Sequence, residues 1–244
     1  LSRFYIPRGS VKGKEILVSG EEAHHILDVM RLKQLDKVTA FDGEGSEYSG
    51  FIKSLSRNSL IIEIISEIHN ITEKEKYQLT LIQAIPKKDK MDYIVEKATE
   101  LGVSRIIPVI SGRTIVRWDE DKRNAHSNRW RVIAKEAAKQ CGRTVIPQVD
   151  DIEKIKDALS SVDGNGLKLI AALADDASQL KDAVNGFMPG QIAVAIGPEG
   201  DFTPEEIKLA KDKGFKVISL GKRVLKSDTA GLAAIAALDY EFDI

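Results

Sequence analysis

Two stretches near the C-terminal end carry residues whose types and spacing can hold a ligand. The first is Ile196-Gly197-Pro198-Glu199-Gly200-Asp201-Phe202-Thr203-Pro204-Glu205-Glu206. An apolar strand runs into glycines, which let a ligand approach the backbone, and then into a helix start. Helix N-termini attract anions, yet Glu199, Asp201, Glu205 and Glu206 crowd this one. Four carboxylates repel a polyphosphate. A ligand with a positive centre, or one read by backbone groups, fits better. Taken alone, the stretch reads equally well as a turn whose acids complement the helix dipole.

The second stretch, Leu220-Gly221-Lys222-Arg223-Val224-Leu225-Lys226-Ser227-Asp228-Thr229-Ala230, repeats the order of strand, glycine, loop and helix start. Lys222, Arg223 and Lys226 precede a helix N-terminus, where each cation opposes the dipole by roughly a few tenths of a kcal/mol. Such a conflict is commoner at functional sites than on plain solvated loops. Ser227 or Asp228 can cap the helix. The Ala-rich segment 230–238 is narrow enough to pack closely against a cofactor, another helix or a second subunit.

Other chemistries are excluded. There is no Gly-x-Gly-x-x-Gly, no Gly-Lys-Ser/Thr phosphate loop and no His-Glu-x-x-His. Histidines 24, 25, 69 and 126 have no metal-ligand spacing with the lone Cys141. Cys141, at a helix end among small residues, reads as a small core residue rather than a catalytic thiol.

The elements that must position these stretches change period along the chain. Up to about residue 70, short apolar runs at Glu15–Ser19, Lys37–Phe41, Tyr48–Leu55 and Ser59–Ile68 alternate with turns, which predicts a small barrel or sandwich. A helix over Glu21–Arg31 interrupts them. His69–Lys76 reads as a linker. Beyond it, Leu79–Ile85, Val103–Ile110, Leu167–Leu173, Gln191–Ile196 and Phe215–Leu220 read as buried strands. Met91–Leu101, Asn128–Cys141, Thr203–Lys213 and Asp228–Leu238 read as helices. Thr203 with Pro204 and Glu206 predicts a capping box. Alternating strands and helices predict an α/β domain with a largely parallel sheet.

Length and charge set the outer bounds. At 244 residues the chain is ample for one large or two modest domains, and 43% hydrophobic with 30% charged residues describes an ordinary globular protein. One cysteine suits a reducing compartment. The N-terminus lacks a signal-peptide pattern, and no apolar run approaches the ~18–20 residues that span a bilayer. A net charge of −1 discourages a nucleic-acid partner, but it hides +6 over residues 87–143 and −6 over residues 144–213. The basic block reads either as solvated helix faces or as a phosphate-binding footprint.

Gly197-Pro198-Glu199-Gly200, Leu220-Gly221-x-Arg223-Val224-Leu225 and Thr229-Ala230 together resemble the C-terminal motifs of the SPOUT methyltransferases. More narrowly, the chain resembles the bacterial 16S rRNA uridine-N3 methyltransferase family, over almost its whole length. Arg3-Phe4-Tyr5, His25-Ile26, Val29-Met30-Arg31 and Phe41-Asp42-Gly43 are similar to its PUA-like region. Lys90-Met91-Asp92, Glu96–Val103 and Gln140-Cys141-Gly142-Arg143 are similar to its central motifs. Lys226, Ser227 and Asp228 stand where Arg, Thr and Glu are usual, and Lys88 and Asp201 stand where glycine is frequent.

The resemblance implies a PUA-like β-barrel over 1–72 and a SPOUT domain with a parallel sheet and a C-terminal trefoil knot over 73–244. It implies S-adenosylmethionine as cofactor, a cytoplasmic homodimer whose sites are completed at the subunit interface, and methylation of N3 of a uridine in the decoding region of the small ribosomal subunit, with no membrane and no metal. The cofactor residues expected are Leu173, Ile196, Gly197, Pro198, Glu199, Gly200, Leu220, Gly221, Leu225, Thr229 and Ala230. Glu199 and Asp228 are candidate bases, and Arg223 or Arg3 can stabilise a uridine anion. Arg3, His25, Arg31, Lys90, Arg113, Arg131 and Arg143, with Lys87 and Arg117, are candidates for RNA. A competing class is a non-catalytic RNA-binding or ribosome-assembly module; two intact glycine loops count against it, as missing phosphate fingerprints count against a dehydrogenase or kinase.

Overall fold

The computed structural model describes residues 2–69, 78–162, 164–188 and 190–242. The chain divides into two compact units, residues 1–74 with 138–146 and residues 75–137 with 147–244. Most of the expected linker, and the expected boundary at 72/73, lie outside the described residues.

The first unit is a six-stranded sheet. Its strands are β1 (Ser2–Tyr5), β2 (Val11–Lys12), β3 (Glu15–Ser19), β4 (Lys37–Phe41), β5 (Ser46–Leu55) and β6 (Ser59–His69), in the order β1-β4-β5-β6-β3-β2. Only β1 and β4 run parallel. Alternation along the strands puts Ile16, Val18, Val38, Ala40, Tyr48, Ile52, Leu60 and Ile62 into one core with Phe4 and Ile6. The expected helix is α1 (Glu21–His24), which widens into a π turn over His25–Val29. Cys141 is exposed, correcting the expectation of a core cysteine: the last helical turn leaves its thiol at the surface.

The second unit holds an eight-stranded sheet whose pairings are all parallel. It comprises β7 (Gln78–Ala84), β8 (Arg105–Ile110), β9 (Gln148–Val149), β10 (Glu153–Lys154), β11 (Leu167–Ala171), β12 (Ser178–Gln179), β13 (Gln191–Ile196) and β14 (Lys216–Ser219). The order is β10-β8-β7-β13-β11-β14-β12, with β9 against β8. Helices α2 (Lys90–Glu100), α3 (Glu120–Cys141), α4 (Ile155–Ser161), α5 (Leu180–Val184) and α6 (Pro204–Asp212) lie between these strands in the chain, and α7 (Ser227–Phe242) follows the last of them.

Both faces of this sheet are buried, which explains the nearly unbroken apolar strands. Leu79, Leu81, Leu169, Val194 and Ile196 pack with Met91, Ile94 and Val95 of α2, Trp130 of α3 and Ile235 and Leu238 of α7. Ile82, Ala84, Ile107, Ile170 and Ala195 pack on the other face with Ile155, Leu159, Phe202 and Ala210. Helix α3 begins eight residues before the expected Asn128, because its first turns are polar and carry no apolar stripe. Helix α6 has the capping box that was expected: Thr203 Oγ1 accepts from Glu206 N, and Glu206 Oε2 accepts from Thr203 N.

Candidate functional site

The parallel register brings the two glycine-bearing stretches to one end of the sheet. β13 ends at Ile196 beside Ala171 of β11, and Ala171 pairs on its other side with Ile218 of β14. Loops after three adjacent strands therefore emerge together at their carboxyl ends, where ligands bind in open α/β sheets. Between them lies a cavity of about 260 Å³. One wall runs from Ile196 to Glu199 with Asp201, the other from Ile218 to Gly221 and Arg223 to Ser227; Ala171, Ala172, Leu173 and Ala230 complete the lining.

Nine of the eleven residues expected to hold a cofactor line this cavity: Leu173, Ile196, Gly197, Pro198, Glu199, Leu220, Gly221, Leu225 and Ala230. Gly200 and Thr229 do not. Gly200 turns its carbonyl to Arg113, whose Nη1 donates to it at 2.6 Å. Thr229 is exposed on α7. Leu173 lies on the loop after β11 rather than in the strand, because pairing stops at Ala171.

The acids play parts that their number alone does not show. Asp201 lies in the left-handed region, at φ 63°, in a turn closed by its own N–H to Pro198 O at 2.9 Å. Its carboxylate accepts from Leu173 N and Phe202 N, both at 2.8 Å. Glu206 accepts from Gly112 N at 2.7 Å as well as from Thr203. Glu205 is held below its usual carboxylate range, chiefly by a backbone N–H, then by the Thr203 hydroxyl, with Arg113 adding its charge. Of the four acids only Glu199 and Asp201 line the cavity. Glu199 makes one hydrogen bond among the described residues, accepting from Lys87 N at 3.0 Å.

The cations divide. Arg223 lines the cavity and is exposed, and among the described residues neither it nor Lys222 or Lys226 forms an ion pair. Lys90 Nζ lies 3.2 Å from Asp228 Oδ2, so the second candidate base is paired and does not line the cavity. Ser227 does not cap α7: its hydroxyl donates to Gly197 O at 2.5 Å. Arg131 bonds Val149 O, Asn128 and Asp151. Within the first unit, the Arg3 guanidinium stacks on Phe41, pairs with Glu47 and donates to Ala138 O and Arg143 O. These contacts hold the Arg3 guanidinium within its own unit. His25 packs edge-on against Phe4, and Arg31, at φ 54°, is exposed.

Several site residues had no motif to reveal them. Ala171, Ala172 and Ile218 line the cavity because they end neighbouring parallel strands, a signal available once the strand order is known. Gln83 stands inside the apolar run Leu79–Ile85, where neither its spacing nor a motif marks it.

Fold and cavity define an α/β binding domain with its ligand site beyond the strand ends, joined to a β-rich unit. Residues 73–239 match the RNA methyltransferase domain family, and residues 18–65 match the RNA methyltransferase PUA domain. Ribosomal RNA small subunit methyltransferase E of Rickettsia conorii is 31% identical over 238 residues, covering 96% of this chain and 93% of its own. The Bacillus subtilis protein of that name is 29% identical, with 93% and 90% covered. Among solved structures, that methyltransferase from Neisseria gonorrhoeae, bound to S-adenosylmethionine, superposes with a TM-score of 0.87 at 34% identity, covering 99% and 98%. A Legionella pneumophila methyltransferase in complex with the same cofactor also gives 0.87, at 31% identity, with 98% and 97% covered. The chain belongs to the RNA methyltransferase family, and within it to the ribosomal RNA small subunit methyltransferase E proteins.

Proposed function

We propose that this chain transfers the methyl group of S-adenosylmethionine to N3 of one uridine in the 16S rRNA of the small ribosomal subunit. The observation that carries the reading is the cavity, walled by glycine loops and small apolar side chains and bordered by one lightly bonded carboxylate. Its lining suits the ligand chemically. Ala171, Ala172, Ile196, Ile218 and Ala230 offer apolar surface to a flat ring; Leu220, Gly221 and Leu225 offer backbone groups; Glu199 offers negative charge to a sulfonium. When bound, S-adenosylmethionine supplies an electrophilic methyl group. The donor bound in the Neisseria and Legionella relatives supports the same assignment.

The acceptor sets the remaining demands. Uridine N3 carries a proton at neutral pH, so a base must take it. Glu199 takes it in this reading, since Asp228 is engaged with Lys90. Arg223 stabilises the uridine anion as it forms. The base must first be unstacked to expose N3. His25, Arg31, Arg113, Arg117 and Arg143 are the favoured RNA contacts; Lys90 and Arg131 are committed to ion pairs inside their own unit.

The same reading assigns RNA gripping to residues 1–72 and transfer to 73–244, with a trefoil knot at the C-terminal end. A strand order that sets β13 between β7 and β11 is in keeping with the knot. It makes the protein a cytoplasmic homodimer. Leu173 and Val224, 70% and 75% exposed, leave apolar side chains in the cavity lining for a second copy to cover. The test is to incubate the protein with labelled S-adenosylmethionine and small ribosomal subunits and map the modified base. Label on N3 of a single uridine is expected. Label on cytosine or ribose refutes the N3 assignment, and no label leaves only RNA binding.

A further inference from the structure

Gln83 lies wholly inside the second unit, 0% exposed, on β7 and opposite Ile196, the last residue of β13. It lines no part of the cavity. Its Nε2 donates to Ala84 O at 2.9 Å and to Ser227 Oγ at 3.0 Å. The Ser227 hydroxyl donates onward to Gly197 O at 2.5 Å. Gly197 begins one wall of the cavity and Ser227 ends the other. One buried amide on a central strand is thus bonded, directly or through a single hydroxyl, to both walls.

The arrangement is poorly explained by stability. Gln83 Oε1 is buried with no hydrogen-bond partner among the described residues. A half-satisfied buried amide is worse for a core than an apolar side chain of its size. Neighbouring Leu81, Ile82 and Ala84 show what the strand otherwise uses. Helix α7 also gives way to it. A Cβ at Gly231 would meet Gln83 Oε1 at 2.8 Å, so a residue unfavourable in helix interiors stands where alanine would clash. Two local rules of folding are broken around one side chain, and the element they serve is the pair of walls.

We propose that Gln83 is a positioning residue for the methyl donor. It fixes the Ser227 hydroxyl, and through it the direction of the Gly197 carbonyl and the separation of the two loops. This inference rests on the assignment of the cavity to S-adenosylmethionine.

Calorimetric titration with S-adenosylmethionine, alongside thermal unfolding, tests it on the full chain. Gln83→Leu and Ser227→Ala are each expected to weaken donor binding about tenfold, the scale of one well-placed hydrogen bond. The double variant should bind no more weakly than the weaker single, since both break one relay. Ser227→Thr, which keeps the hydroxyl, should recover most of the affinity lost in Ser227→Ala. Gln83→Leu should unfold at an unchanged or higher temperature, a readout that a merely structural role would drive down. Wild-type affinity in Gln83→Leu, additive losses in the double variant, or a loss of affinity that only follows a loss of stability overturns the proposal. Wild-type protein that binds no donor overturns the cofactor assignment itself, a result distinct from all of these.

Discussion

The Lys90 ammonium lies 3.2 Å from the Asp228 carboxylate, joining the first residue of α2 to the second residue of α7, one position beyond Ser227 of the cavity wall. Asp228 Oδ1 is buried and has no hydrogen-bond partner among the described residues, so this cation is the main compensation for the carboxylate. Removing one partner of a partly buried pair leaves the other charge stranded. Lys90→Met is therefore expected to lower stability by about 1 kcal/mol, between the values for exposed and fully buried pairs. RNA affinity should keep its dependence on salt. A salt slope reduced by about one in this variant, with stability unchanged, would return Lys90 to the phosphate contacts.

Lys88 and Asp201, where the resemblance leads us to expect glycine, both have left-handed backbones, at φ 60° and φ 63°. Lys88 is exposed and gains nothing visible from that conformation. Lys88→Gly should raise stability by about 1 kcal/mol, the penalty of that region for a residue with a Cβ. Asp201→Gly should do the opposite. It relieves the same backbone but strips the hydrogen bonds to Leu173 N and Phe202 N, each worth about 1 kcal/mol or more with a charged acceptor. It also frees the Leu173 loop, so donor affinity should fall with stability. Chemical denaturation of both variants checks the paired signs.

The parallel sheet was legible because strands buried on both faces read as apolar runs, and the ligand loops because glycine, proline and a capping box punctuate their ends. What stayed hidden has physical reasons. Strands β9, β10 and β12 are two residues long and set no period. Helix α4 carries Ile155, Ala158 and Leu159 at helical spacing, but a seven-residue helix is easily lost in an acidic stretch. The roles of the acids were illegible, since Asp201, Glu205 and Glu206 turn to backbone N–H groups that only the folded loop supplies. Gln83 was hidden for the converse reason: an amide between Leu81, Ile82, Ala84 and Ile85 looks like tolerated noise until its partner, 144 positions away, is seen.

Glu153 in β10 gives a pH prediction away from the cavity. Burial raises its carboxyl above the ordinary range, with repulsion from Asp150 adding to it, against a smaller opposing pull from Arg105. A carboxyl raised in the folded state favours folding when protonated. Its contribution is complete below the unfolded-state value, roughly 4.3, and is lost as pH rises through the folded value. Glu153→Gln should thus be more stable than wild type at pH 7, and the advantage should vanish as pH falls below about 4. Unfolding midpoints across that range check it; an advantage independent of pH would point to packing instead.

Glu199 carries the sharpest prediction about chemistry. Glu199→Gln keeps the shape and the acceptor that Lys87 N uses at 3.0 Å, while removing the charge and the ability to take a proton. The cavity walls should stay as they are, so donor affinity should fall only by the lost attraction to the sulfonium, far less than turnover. Turnover at neutral pH should fall by about a hundredfold or more, the usual contribution of a positioned base. The sign of the pH dependence distinguishes the cause. If the base is lost, the residual rate should keep rising as the solution becomes alkaline and deprotonates N3 without help, narrowing the gap to wild type. If Glu199 only shapes the loop, the gap should be constant with pH and donor affinity should fall with turnover. Initial rates from neutral to alkaline pH, paired with donor titrations, separate the two; undiminished turnover removes Glu199 as the base.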